Sequence, residues 1–187
     1  PLILEPARTD LFSLASLEEN HGVAGLYAED NEDFRSAQVY LMDYEDEEPL
    51  YVQNARDRAW PASLTKILTI IVMLEEQPDL DQTVTITQEY VSEMARLNAS
   101  TAGFSVGEKV SYRDLAYAAM LPSAGEAAYA IATDLGGSEA AFAEMMNEYA
   151  VKIGMSRSNF TNSTGLHDDN QYSTAEDLAI LLRHSWE

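Results

Sequence analysis

The chain has 187 residues, 46% of them hydrophobic and 23% charged. That is enough for one sizeable core or two small ones, and too apolar for disorder to be the default. Eleven basic against 32 acidic residues give a formal charge of -21, a field that repels phosphate backbones and anionic headgroups, so neither nucleic acid nor a membrane surface is expected as a partner. Cysteine is absent, and His21, His167 and His184 are scattered without metal-ligand spacing. Thiolate chemistry and disulfides are thereby removed, and no metal is expected. No stretch approaches the ~18 apolar residues of a membrane span, and the opening PLILEPARTD lacks the basic-then-apolar order of a secretory signal.

In chain order, the first 36 residues mix an apolar start with acidic patches and show no sustained period. They form a segment of unknown role. From Ser36 two β-rich runs, 38–42 and 50–52, flank an acidic turn, which predicts a hairpin with a solvated tip. Pro61 suits a first helical turn, and Ile67, Leu68, Ile70, Ile71, Val72, Met73 and Leu74 then predict a buried helix, apolar on most of its circumference. A short β-like run, TVTIT, precedes a polar helix over 88–97, and residues 99–110 read as a small-residue loop. Helices are expected over 112–121, 125–135 and 138–153. Residues 154–172 form a loop rich in Asn, Ser, Thr, Gly and Asp. Ser173 then caps a final helix, with Glu176 completing a capping box. A sheet edge followed by a mostly helical block predicts an α/β or α+β layout.

Ser63-Leu64-Thr65-Lys66 stands at the start of the buried helix. Residues three apart share a face, so the Ser63 hydroxyl and the Lys66 amine can meet. A helix amino end and an apolar surround both disfavour an ammonium, which pushes the lysine toward the neutral form that accepts a proton. Such a lysine activates a serine without histidine. The spacing by itself arises readily by chance; the scarcity of lysine and the apolar run behind this one strengthen it. Ser123, in the turn LPSAG, is either the cap of the next helix or a second hydroxyl that relays a proton. His167, Asp168 and Asp169 read as a solvated loop rather than a metal cluster. Trp60 reads as core or cleft rim, and Tyr112, Tyr117 and Tyr129 as packing.

Together these segments resemble the serine D-alanyl-D-alanine carboxypeptidases, the low-molecular-mass penicillin-binding proteins, from about Ser36 onward. PASLTKILT is similar to the family's active-site helix. ASTAGFSVGEKVSYRDLAYAAMLPSAGEAAYAIA is similar to the block leading to its second motif, and GGSEAAFAEMMNEYAVKIGMSRSNFTNSTGLHDDNQYSTAEDLAILLR to the stretch before its third. The resemblance implies Ser63 as acylated nucleophile, Lys66 as base and Ser123 as second serine. It also implies a β-lactamase/transpeptidase-like α+β fold, a partial antiparallel sheet with a mostly helical subdomain, of which residues 37–187 are the amino-terminal portion. Two departures stand out. Gly125 occupies the substrate-binding place where the family's second motif usually has asparagine, and the third motif, a lysine-threonine-glycine strand, is absent. Ser163-Thr164-Gly165 matches the intermotif loop instead. The expectation is therefore a chain cut from a longer product, with the carboxyl-terminal strands missing.

The implied activity is removal of the terminal D-alanine from peptidoglycan stem peptides, outside the cytoplasm, at the cell wall or the outer face of the cytoplasmic membrane. No cofactor is implied, and β-lactams act as covalent inhibitors. The rival readings are a β-lactamase, which needs a placed carboxylate for deacylation, and a non-catalytic cell-wall binding domain of the same fold.

Overall fold

The computed structural model describes residues 35–186. The expectation for the first 36 residues falls almost wholly outside this range. Strands β1 (Val39–Met42) and β2 (Pro49–Gln53) form the expected antiparallel hairpin, with Val39 opposite Gln53 and Leu41 opposite Tyr51. Its acidic tip is exposed, as charged residues require unless paired. A 3₁₀ turn (Ala62–Leu64) leads into helix α1 (Thr65–Glu76). Strand β3 (Thr83–Thr85) and helix α2 (Gln88–Arg96) follow. Residues 99–110 are not loop throughout: Lys109–Ser111 forms strand β4, pairing antiparallel with β3 so that Val84 meets Val110. Three residues are too few to show a period-two pattern, and the pairing lies beyond local sequence.

Four helices complete the chain: α3 (Tyr112–Met120), α4 (Gly125–Gly136), α5 (Glu139–Ile153) and α6 (Ala175–His184). The architecture is α+β, helices with two small antiparallel sheets. Helix α4 is central. Its alanines favour the helical backbone and let neighbours approach closely, and Ala127, Ala128, Ala130, Ile131 and Ala132 are all buried. Around it pack Leu68 and Met73 of α1, Leu115 of α3, and Phe142 and Met146 of α5, and Leu181 of α6 joins the same core from the side of α1 and α5. Truncating one of the larger of these would cost about 2–5 kcal/mol.

Helices α2, α3, α5 and α6 each start at a side-chain cap. Ser138 accepts from the Ala141 N–H and so precedes α5 rather than belonging to it. The final helix corrects the sequence reading by one residue. Thr174, not Ser173, is the cap, accepting from the Asp177 N–H at 3.1 Å. Glu176 therefore closes no capping box and instead pairs with Arg56 at 2.8 Å. Ser173 is spent elsewhere: its backbone exchanges hydrogen bonds with Ala59, which lashes the 154–172 loop to the segment leading into the 3₁₀ turn. Tyr112 is buried and hydrogen-bonded to Asp134. Tyr117 is 61% exposed, against the packing role expected of it, because α3 turns that face away from α4.

Candidate active site

Ser63 lies in the 3₁₀ turn, and Lys66 is the second residue of α1. Residues i and i+3 eclipse in a 3₁₀ turn, so the tighter entry brings the two side chains together more directly than a plain α-helix would. Lys66 Nζ is 3.3 Å from Ser63 Oγ. Lys66 is only 5% exposed, and burial pushes its amine below the ordinary 10.5, since desolvation penalises the ammonium. No described carboxylate pairs with it. Its other partner is the Thr164 carbonyl, at 2.5 Å. A neutral amine has N–H donors for that carbonyl and one lone pair for the Ser63 proton.

The 3₁₀ turn is held against the 154–172 loop. Ala62 adopts φ +48, a left-handed conformation that side chains avoid. Gly165, at φ +80, lies so close that a Cβ there would sit 1.8 Å from the Ala62 carbonyl oxygen and 3.0 Å from the Ser63 nitrogen. Only glycine fits. Above it, Thr69 of α1 donates to the Ser163 carbonyl at 2.7 Å. The Glu139 carboxylate accepts from the Ser163 N–H at 2.7 Å and from its hydroxyl at 2.9 Å. Burial raises the Glu139 carboxyl above its ordinary value, while the two Ser163 donors oppose that rise. The helix is thus less apolar around its circumference than its sequence implied: Thr65, Lys66 and Thr69 are buried, while Leu74 is half exposed.

Ser123 and Ser63 line the same cleft of about 460 Å³, together with Pro61, Ala62, Leu64, Ile67, Ala119 and Met120. The cap of α4 is Ala124, with no side-chain cap bond, so Ser123 does not do the capping work that was one of its two readings. It holds φ +60, and strain of this kind gathers at functional sites. Gly125 does not reach the cleft lining. It is buried at the first turn of α4, donates its N–H to the Ser100 carbonyl at 2.7 Å, and a Cβ there would meet Met94 Sδ at 2.7 Å. Beside it Glu126 accepts from the Ala102 and Gly103 N–H groups, tying the 99–110 segment to α4.

Trp60, 67% exposed, meets the His167 ring edge-on at 5.5 Å and is not part of the core. His167 and Asp169 are 3.3 Å apart, both largely exposed. Among the described residues no cluster of three or more potential ligands could hold a metal. Sequence reasoning missed the Thr164 carbonyl, Gly165, Asn162 and Glu139. The available signal was the Asn-Ser-Thr-Gly run, whose composition marks a tight turn; its approach to Ser63 is a tertiary fact.

A serine hydroxyl beside a desolvated, carboxylate-free amine, with a second serine lining the same cleft, is the arrangement that serine-lysine acyl transfer requires. The comparisons with known proteins point the same way. The family described as D-alanyl-D-alanine carboxypeptidase matches residues 26–187, and the chain belongs to that family. It is 34% identical over 156 residues to the D-alanyl-D-alanine carboxypeptidase DacA of Haemophilus influenzae, covering 80% of this chain and 39% of that protein. It is 36% identical over 139 residues to the D-alanyl-D-alanine carboxypeptidase of Streptomyces sp. strain K15, covering 71% and 48%. The crystal structure of the Streptomyces K15 DD-transpeptidase superposes with a TM-score of 0.76 at 33% identity, over 83% of this chain and 63% of that one. The chain thus spans less than half the length of these two curated relatives, and it shares the α+β fold of the DD-transpeptidase.

Proposed function

We propose that the protein is a serine D-Ala-D-Ala carboxypeptidase that removes the terminal D-alanine of peptidoglycan stem peptides, acting outside the cytoplasm where that substrate lies. The observation that carries the reading is the 3.3 Å approach of Lys66 Nζ to Ser63 Oγ, with the amine buried and its ammonium form disfavoured. In the first step Lys66 takes the Ser63 proton as Oγ bonds to the carbonyl carbon of the penultimate D-alanine. The Ser63 N–H, which no described residue accepts, is free to stabilise the oxyanion. The C–N bond then breaks, and the departing D-alanine amine receives a proton through Ser123. Water attacks the resulting ester, with Lys66 again as base, and releases the shortened peptide. A β-lactam enters the same first step. Its ring C–N bond opens, and the leaving amine stays tethered.

The test uses a fluorescent penicillin and an N-acylated D-Ala-D-Ala peptide. The intact protein is expected to take up one penicillin, mapped by peptide mass to Ser63, and to release D-alanine, with both lost in Ser63→Ala. Absence of labelling would overturn the assignment, and binding of peptidoglycan fragments without D-alanine release would favour the non-catalytic reading. Release of bound penicillin is expected to be slow, because among the described residues no carboxylate lines the cleft and rapid deacylation needs one.

A further inference from the structure

The side-chain oxygen of Asn162 gathers the turn behind the base. It accepts from the Gly165 N–H at 2.8 Å, the Thr164 hydroxyl at 3.1 Å and the Thr164 N–H at 3.2 Å, while its Nδ2 donates to the Leu166 carbonyl at 3.0 Å. The Gly165 N–H belongs to the same peptide unit as the Thr164 carbonyl. That unit is trans, so its N–H and C=O point in opposite directions, and holding one end aims the other. The aimed end is the oxygen that takes Lys66 Nζ at 2.5 Å.

We propose that Asn162 is a positioning residue for Lys66: by fixing the 164–165 peptide plane it points the Thr164 carbonyl at the amine, and so sets the direction in which the lone pair meets Ser63. The inference rests on the acylation chemistry above and extends it to a residue that touches no reacting atom. The need for such a clamp follows from Gly165. The close approach to Ala62 demands a glycine there, and a glycine makes rotation of the adjoining peptide cheap. A flipped peptide would present an N–H to the amine in place of an oxygen. That N–H would occupy the lone pair, leaving the base unable to accept the Ser63 proton. Asn162 holds the N–H on the far side and polarises the carbonyl through the same unit.

The experiment compares Asn162→Ala and the nearly isosteric Asn162→Leu, neither of which offers an acceptor, with Asn162→Asp, which keeps the oxygen. The control is Asn147→Ala, which frees the same loop two residues away by removing its bonds to the Phe160 N–H and carbonyl. Two quantities are read: the rate constant of penicillin acylation, and the ¹⁵Nζ resonance of Lys66, which reports the hydrogen bond to Thr164 whether or not the protein is acylated. The acceptor-free variants are expected to lose ~10–100-fold in rate, the scale of a small misplacement at a reacting centre, and to shift the Lys66 signal. Asn162→Asp should recover at least ~10-fold of that rate and return the signal toward the parent, and Asn147→Ala should leave both near the parent. Wild-type rate and signal in either folded acceptor-free variant would overturn the inference. So would an equal loss in Asn147→Ala, since loosening the loop alone would then explain it. A parent protein that penicillin does not acylate would sink the carboxypeptidase reading, while the Lys66 signal would still decide the role of Asn162.

Discussion

Behind Lys66, the 154–172 loop is bonded at residue after residue: Asn159 to Tyr172, Phe160 to Asn147, Asn162 to Gln171, Ser163 to Glu139, Thr164 to Asn162. In front of it, the turn that carries Ser123 leaves that hydroxyl with no hydrogen bond to a described residue, and Leu64 and Met120, which line the same cleft, stand exposed. The difference separates two tasks. A base must be held in one direction, because its lone pair is of use only along the line to Ser63, and a saturated wall provides that at no cost in reactivity. A group that passes protons to an arriving substrate has to stay unsatisfied until the substrate is there.

Substitutions on the two sides should therefore fail in opposite ways. The largest effect is expected from Gly165→Ala. A Cβ would collide with the Ala62 backbone, which has no flexible end to move aside, and alanine at φ +80 is itself strained. Folding stability should fall by ~3 kcal/mol or more by chemical denaturation, with penicillin labelling lost at temperatures where the variant remains folded. On the open side, Ser123→Ala removes a hydroxyl that supports nothing in the fold. Stability should hold within about 1 kcal/mol, while the acylation rate falls ~100-fold or more. Equal losses of stability and rate at both positions would erase the distinction between a held wall and an open one.

The sequence made one side of this arrangement far more readable than the other. Ser63 and Lys66 were legible because helical spacing is local, and because a lysine just before an apolar run has few other uses. The hairpin and most helices were legible from period and punctuation. The saturated wall was not. Glu139 meets Ser163 24 positions away and Gly165 meets Ala62 farther still, while Asn162 bonds only within its own loop and matters because that loop meets Lys66 98 positions away. Local pattern carries no information about such distant meetings. Gly165 showed only as one more glycine in a turn; its reason is the Ala62 carbonyl. The shift of the last cap from Ser173 to Thr174 has the same origin, because the Ser173 backbone is engaged by Ala59 and the helix begins one residue later. The resemblance put Gly125 at the substrate-binding place where the family's second motif usually has asparagine. In the fold that position faces Met94, whose side chain fills the space a larger residue would need.

The central claim is that an uncharged Lys66 amine takes the Ser63 proton, and the pH dependence of the acylation rate constant tests it most directly. Burial lowers the amine's pKa from 10.5, so the neutral fraction grows as pH rises through a value below that figure. Measured with a penicillin from weakly acid to strongly alkaline conditions, the rate should climb along a single acid limb whose midpoint falls short of 10.5, then level off. A midpoint at or above 10.5, or a rate that does not change across that range, would contradict the account.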